Sequence, residues 1–160
     1  KNITLAYIGD GNNVCHSLLF ACAKLGVNMN VGSPKGYEPD LVVLNDSKSA
    51  AELNNASIKL FNNASDAAKG ADVIYTDVWA SMGQEEESGK RKEVFASFQV
   101  NKDLVNAAKK NALIMHCLPA HRGEEITDDA LDSKYSVVFD QAENRMHVQK
   151  AILIKLLGER

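Results

Sequence analysis

The chain has 160 residues, 45% of them hydrophobic and 24% charged, which is the composition of one ordinary globular domain. Its net charge of −3 offers no basic surface to nucleic acid or to an anionic membrane, so we expect neither as a partner. No apolar run approaches the ~20 residues that span a bilayer, and no signal-peptide pattern opens the chain. The sequence begins at Lys1 and enters a strand-like run almost at once. We therefore expect a piece of a longer polypeptide.

Short β-branched runs alternate with helical segments along the chain. The predicted strands are 3–8, 27–31, 57–61, 72–78, 112–116 and 135–139. The predicted helices are 13–25, 39–54, 65–69, 101–110 and 141–157. Several strands are apolar at consecutive positions, as expected where both faces of a sheet are covered. The alternation predicts an α/β fold: a doubly wound, Rossmann-like parallel sheet of five to six strands with helices on both faces.

The connection 79–100, between the fourth predicted strand and the helix that follows it, is long for a compact domain. It is strongly charged at 85–87 and at 90–93. Those charges favour a solvated helical turn, whereas connections of this length are often functional lids or disordered. Both alternatives remain open on the sequence of the segment alone.

Polar groups that could bind a small zwitterion follow four of the predicted strands, in the segments 9–13, 77–83, 116–119 and 140–145. In open parallel sheets, ligands bind beyond the carboxyl ends of the strands. Because those ends meet at one edge of the sheet, we expect these four segments to form a single site.

The turn after the first strand, Gly9-Asp10-Gly11, resembles the start of a dinucleotide-binding loop. It matches only the first two glycines of that fingerprint, because Val14 stands in the third place and no acidic residue ends the second strand. Dinucleotide binding is therefore the least favoured alternative. A tight turn with Asn as a helix cap remains open. Asn13 could also offer its amide to a ligand carboxylate, which is the interpretation we prefer.

Asp77 ends an apolar run, where a carboxylate needs a partner or water. A ligand ammonium would serve, and a loop cap is the alternative. Ser81 could add a hydroxyl to the same ammonium, and Met82 belongs to a backbone segment suited to packing against a ligand. Arg145, early in the last helix, could form an anion site with the helix N terminus or lie on the surface.

Cys117 lies beside His116 at the end of the fifth predicted strand, where either residue alone would more often be structural. Cys15 and Cys22 lie seven residues apart on a predicted helix and favour buried hydrophobic positions. None of the three cysteines has the spacing of a zinc motif, so we expect no metal. The pattern favours a reducing compartment, and we expect a cytoplasmic protein.

Four segments together resemble the ornithine carbamoyltransferases: GDGNN at 9–13, DVWASMGQE at 77–85, HCLP at 116–119 and FDQAENR at 139–145. The resemblance runs in order along essentially the whole chain, and it is to the second half of that enzyme. It implies one ornithine-binding domain over residues 1–160. The carbamoyl-phosphate domain, with its Ser-x-Arg-Thr loop, has no counterpart in this sequence. The cysteine in HCLP separates the chain from the aspartate enzyme, whose equivalent strand ends in HPLP.

The resemblance implies how L-ornithine would be bound. Asn13 would lie on the carboxylate side of the substrate. Asp77 and Ser81 would hold the α-amino group, and Met82 would contribute through its backbone. Cys117 would lie beside the side-chain amine that reacts.

The resemblance also implies a site for carbamoyl phosphate, which Cys117, the Leu118 backbone and Arg145 would face. Catalysis would rest on Cys117 and Asp77 as acceptors of the amine proton, and on Arg145 as the group that stabilises the oxyanion. The family needs no cofactor, its full-length members form homotrimers, and this chain alone would be inactive. An amino-acid-binding module without catalysis and a dinucleotide-binding domain remain the alternatives.

Overall fold

The computed structural model describes residues 3–80 and 87–158. The strands are β1 (Thr4–Ile8), β2 (Asn28–Gly32), β3 (Ile58–Phe61), β4 (Val73–Thr76) and β5 (Leu113–His116). The helices are α1 (Asn13–Leu25), α2 (Leu41–Leu53), α3 (Ala64–Ala68), α4 (Ser88–Phe95), α5 (Lys102–Ala107), α6 (Asp128–Leu131) and α7 (Val138–Leu157). A short 3-10 helix, Ala96–Phe98, follows α4 directly.

The five strands form one parallel sheet in the order β3-β2-β1-β4-β5. The chain winds outward from β1 through β2 to β3, then returns to the other side of β1 and winds outward again through β4 to β5. A crevice opens at such a reversal point, between β1 and β4, because the flanking helices lie on opposite faces there. The predicted doubly wound α/β fold is confirmed.

Each face of the sheet carries its own apolar core, because successive side chains of a strand point to opposite faces. From β1, Ala6 and Ile8 enter the core beneath α3, α5 and α6, while Leu5 and Tyr7 enter the core beneath α1 and α2. The second core also holds Cys15 and Cys22, which are buried and unbridged as predicted.

The prediction of a sixth strand at 135–139 is wrong. Ser136 makes a single parallel bridge to Ile114 of β5, and helix α7 then begins at Val138. Backbone bonds from the Ile114 amide to Tyr135 and from the Val137 amide to Ile114 align this segment with the sheet edge. Strand propensity over five residues is a weak preference, and here it yields to a helix of 20 residues.

The charged connection 79–100 is largely helical in its described part, as its charges favoured, but it is only partly solvated. It contains α4 and the 3-10 helix, and both Arg91 and Phe95 are buried. The ring of Phe95 packs against Trp79 and Tyr37, at centroid distances of 5.9 Å and 4.9 Å. The segment is therefore anchored to the domain at its second half.

Helix α7 is the least covered element. Among the α7 side chains that the structure describes, only Val138 is fully buried. Large apolar side chains along its outer half are more than half exposed; they are Ile152, Leu153, Ile154, Leu156 and Leu157. Within residues 3–80 and 87–158, no helix is both long enough and apolar enough to cross a membrane.

Gly11 lies where two backbone segments meet. Its amide donates to the Tyr37 carbonyl at 2.8 Å, and a Cβ at this position would lie 2.2 Å from the Pro39 nitrogen and 2.3 Å from the Glu38 carbonyl carbon. Because both neighbours are backbone atoms, neither can turn aside. We expect Gly11→Ala to lower the free energy of unfolding by roughly 1–3 kcal/mol or more, measured by urea denaturation.

Gly89 provides the matched control for that substitution. It lies in α4, and a Cβ there would meet nothing within 4 Å. Gly89→Ala should be neutral or stabilising by up to about 1 kcal/mol, because alanine is the better helix former. Equal destabilisation by the two variants would contradict the packing argument at Gly11.

Candidate active site

Three neighbouring strands end at the same level of the sheet. Thr76, the last residue of β4, pairs with Ile8 at the end of β1 and with His116 at the end of β5. The residues that follow, Gly9, Asp77 and Cys117, therefore leave the sheet side by side. This register, rather than any local sequence feature, brings the separate motifs together.

A cavity of about 760 Å³ opens over these strand ends. Five residues predicted from the sequence line it; they are Asn13, Asp77, Cys117, Leu118 and Arg145. A second cavity of about 450 Å³ shares Asn13, Cys117 and Arg145 with the first and extends between α1 and α7. The two other predicted site residues, Ser81 and Met82, lie outside the described residues.

Asp77 is a buried carboxylate held by three hydrogen bonds. Its Oδ1 accepts from the Cys117 thiol at 3.0 Å and from the Val78 amide at 2.8 Å. Its Oδ2 accepts from the side-chain amide of Asn12 at 3.2 Å. These donors come from the β1, β4 and β5 connections, so one carboxylate ties three strand ends together.

The thiol of Cys117 is a hydrogen-bond donor. Burial, the hydrogen bond to Asp77 and the negative charge of that carboxylate raise the pKa of Cys117 to about 12. The neighbouring phenol of Tyr75 likewise has its pKa raised, chiefly by burial and by the nearby Cys117. Both groups are neutral at physiological pH, so Asp77 is the acceptor in this set and a Cys117 thiolate is not available as a base.

Asn12 caps helix α1, and Asn13 is the first residue of that helix. The side-chain oxygen of Asn12 accepts from the Val14 and Cys15 amides at 3.0 Å and 3.2 Å. The sequence left open whether an Asn here caps the helix or faces a ligand. The structure divides the two roles, since Asn12 is the cap and Asn13 lines both cavities.

Arg145 lines the cavity but does not share an anion site with the N terminus of α7. The helix begins at Val138, three residues earlier than predicted, so Arg145 lies seven residues inside it. That separation is about 10 Å along the helix axis, beyond the first turn where the amides and the dipole act. Arg145 therefore acts as an exposed guanidinium at the cavity edge, without help from the helix terminus.

Two buried ionisable groups next to the site are absent from the sequence prediction. Arg91 donates to Asp10 at 2.8 Å and to the Trp79 carbonyl at 2.9 Å, and its guanidinium lies 5.0 Å from the Tyr37 ring centroid. Burial raises the pKa of Asp10, and Arg91 partly offsets that rise. The sequence showed an Asp shortly after a predicted buried strand, which suggests that Asp10 needs a partner. It gave no indication that this partner is Arg91, 81 residues away.

Glu125 is the second missed residue. It is fully buried and accepts from Nε2 of His116 at 3.1 Å. The other ring nitrogen of His116, Nδ1, accepts from the Leu118 amide at 2.8 Å. His116 is thus the structural histidine that its position alone favoured, with both nitrogens engaged.

Asp77, His116 and Cys117 bring possible ligand atoms within 4.8 Å of one another. A metal ion there would have to displace the hydrogen bond at the ring nitrogen that it ligated and the proton of the thiol. These residues are better described as a hydrogen-bonded set, and we assign no metal to them.

The comparisons with known proteins agree with this geometry. A family model for the Asp/Orn binding domain of aspartate/ornithine carbamoyltransferases matches residues 1–156. The chain belongs to that family. It is 56% identical over 158 residues to an ornithine carbamoyltransferase of Pyrococcus horikoshii, covering 99% of this chain and 50% of that protein. It is 59% identical over 156 residues to one of Prochlorococcus marinus, covering 98% of this chain and 49% of that protein.

A solved structure extends the likeness from sequence to fold. The ornithine carbamoyltransferase from Pyrococcus furiosus superposes with a TM-score of 0.92 at 56% identity, covering 96% of this chain and 49% of that one. The chain spans about half the length of the relatives it matches. The resemblance seen in the four motifs is therefore confirmed. The family is the one that the motifs indicated, and the matched half is the Asp/Orn binding domain.

The protonation state of Cys117 can be tested with the chain as it is. A thiol with a pKa of about 12 should react with iodoacetamide at pH 8 at least about 100-fold more slowly than free cysteine, because only the thiolate attacks. Asp77→Asn removes the two contributions of that carboxylate and should accelerate alkylation, since the pKa then falls toward its ordinary value. Mass spectrometry of the Cys117 peptide follows the reaction.

Cys22 is the internal control, because burial alone raises its pKa to about 11 and Asp77 is not among the causes. Its alkylation rate should be the same in both variants. Equal acceleration at Cys22 and Cys117 would indicate general unfolding. No acceleration at Cys117 would show that Asp77 does not hold its proton.

Proposed function

We propose that this chain is the ornithine-binding half of an ornithine carbamoyltransferase. The longer enzyme would transfer the carbamoyl group of carbamoyl phosphate to the side-chain amine of L-ornithine, giving L-citrulline and phosphate. The observation that carries the proposal is the buried Asp77 carboxylate, held between three strand ends and facing a cavity shared with Asn13 and Arg145. A fixed anion with an amide and a guanidinium beside it matches a substrate with two amines and one carboxylate.

Asp77 anchors the ornithine through its α-ammonium, and Ser81 and Met82 assist from the adjoining segment. Asn13 takes the carboxylate, because its amide can donate from the first turn of α1. A carboxylate and an ammonium of the substrate then each have a partner of the right polarity. This arrangement directs the side-chain amine toward Cys117.

The amine must lose its proton before it can attack. A free alkylamine has a pKa near 10.4, so its neutral form at pH 7 is unfavourable by about 4–5 kcal/mol. The thiol of Cys117 carries no charge that would hold an ammonium, and the Asp77 carboxylate bonded to it can accept the proton that the amine loses. The proton leaves toward Asp77 or solvent, which revises the expectation that Cys117 itself accepts it.

Carbamoyl transfer then proceeds at the edge formed by Leu118 and Arg145. The amide of Leu118 is taken by His116, so the carbonyl of this cavity residue is the backbone group that would accept a hydrogen bond from the carbamoyl NH₂. The amine nitrogen attacks the carbamoyl carbon, and the bond from that carbon to the phosphate oxygen breaks with its electron pair on phosphate. The second proton of the amine leaves with the phosphate. Arg145 stabilises the oxyanion and the departing phosphate.

Other features belong to the longer enzyme and rest on the resemblance. The other half would supply the Ser-x-Arg-Thr loop for the phosphate group and would cover part of the exposed apolar surface of α7. Segment 79–100 would close over bound ornithine and exclude water, which protects the carbamoyl donor from hydrolysis. We further propose a cytoplasmic homotrimer that needs no cofactor.

Citrulline formation by the full-length protein tests the function. Asp77→Asn should lower kcat/KM for ornithine by about 10²–10⁴-fold, because the substrate loses its anchor and its proton acceptor. Asp72→Asn is the matched control: it lies at the other end of the same strand, where it pairs with Lys109 away from the cavity, and should leave kcat/KM unchanged. Full activity in Asp77→Asn would remove this residue from the site.

The 160-residue chain alone should produce no citrulline, since half of the phosphate site would come from elsewhere. Calorimetry with ornithine, with and without carbamoyl phosphate, separates a binding module from a catalytic half. Citrulline from the pure chain would contradict the half-site proposal, and saturable NAD binding would favour the dinucleotide alternative.

A further inference from the structure

Glu125 is a carboxylate with no solvent exposure, and no step of the proposed reaction uses it. Its Oε1 accepts two hydrogen bonds, from Nε2 of His116 at 3.1 Å and from the backbone amide of His121 at 2.6 Å. Acidic side chains are almost never fully buried unless they are paired, because removing the charge from water is unfavourable. The burial of Glu125 therefore depends on its two partners, His116 and His121.

The hydrogen bonds of His116 determine where its proton lies. Nδ1 accepts from the Leu118 amide at 2.8 Å, so it carries no proton. The proton of the neutral ring is then on Nε2, and it points at Glu125. The other tautomer would set an N–H of the ring against the N–H of Leu118. Glu125 stabilises the one tautomer that can hold Leu118.

Leu118 needs that support, because its backbone has a φ of +57°. This left-handed region is unfavourable for a residue with a branched side chain and persists where surrounding contacts impose it. The bond to His116 is such a contact. The same turn carries Cys117 and Leu118, which both line the cavity.

We propose that Glu125 is a positioning residue of the carbamoyl-transfer site. It fixes the tautomer and the place of His116, and His116 holds Leu118 in the left-handed conformation that turns its carbonyl toward the substrate. The catalytic part of this inference rests on the proposed function. The hydrogen-bonded relay from Glu125 through His116 to Leu118 does not, and it can be tested separately.

The relay is tested by nitrogen NMR on the unmodified 160-residue chain. We expect His116 to show a protonated Nε2 and an unprotonated Nδ1, as its hydrogen bonds require. Glu125→Gln keeps an acceptor oxygen, so the same spectrum is expected. Glu125→Leu removes the acceptor while filling the space, and should populate the other tautomer and speed hydrogen exchange at the Leu118 amide. An Nδ1-protonated or doubly protonated His116 in the unmodified chain overturns the relay, whether or not any variant folds.

The catalytic part is tested by kinetics on the full-length protein. Glu125→Leu should lower kcat about 100-fold, as expected when reacting groups are misplaced by about 1 Å. KM for ornithine should change much less, because Asp77 and Asn13 are untouched. Glu125→Gln should restore most of kcat. Glu124→Leu is the control, since that neighbour pairs with Lys92 on the surface, and it should retain kcat.

Each result bears on one part of the inference. A loss of kcat in Glu125→Gln equal to that in Glu125→Leu, with the tautomer unchanged, would show that the charge matters and the positioning does not. An equal loss in Glu124→Leu would indicate a general effect on folding. A full-length protein that makes no citrulline would refute the proposed function, while the NMR result would still decide the relay.

Discussion

The register of three adjacent parallel strands is the constraint on which the site depends. Because β1, β4 and β5 end at one level, the residues that follow them emerge as neighbours, although 68 positions separate Gly9 from Asp77 and 40 separate Asp77 from Cys117. Asp77 then links the three connections through hydrogen bonds from Asn12 and Cys117. A slip of one residue in either pairing would turn Asp77 to the opposite face of the sheet, away from Asn12 and Cys117.

The site concentrates its charge in few groups. Cys117 is half-buried and Tyr75 is buried, and both are uncharged because desolvation raises the pKa of each. Asp10 is also buried near Asp77, but Arg91 compensates its charge. Asp77 therefore presents its negative charge in a partly desolvated setting, where an ammonium is attracted more strongly than it would be in water.

The ion pair of Arg91 and Asp10 also explains how a charged segment comes to be partly interior. One guanidinium nitrogen contacts both the turn after β1 and the Trp79 carbonyl, so the start of segment 79–100 and the helix α4 are tied to the same strand end. Phe95 provides the apolar part of that attachment. Breaking such a pair would leave a buried charge without a partner, which is strongly unfavourable.

The five strands, the helices α1, α2, α3, α5 and α7, the parallel sheet and five of the cavity residues follow from the sequence, because buried parallel strands are continuous apolar runs and ligand groups follow their carboxyl ends. The same local patterns mispredicted 135–139, since strand propensity in a short segment is weaker than its context. Only the tertiary structure decided that Asn12 rather than Asn13 is the cap and that Cys117 is a protonated donor. It alone revealed Arg91 and Glu125 as interior residues. Protonation and ion pairing depend on burial and on partners distant in sequence. The local sequence pattern shows neither how deeply a residue is buried nor which distant residue it contacts.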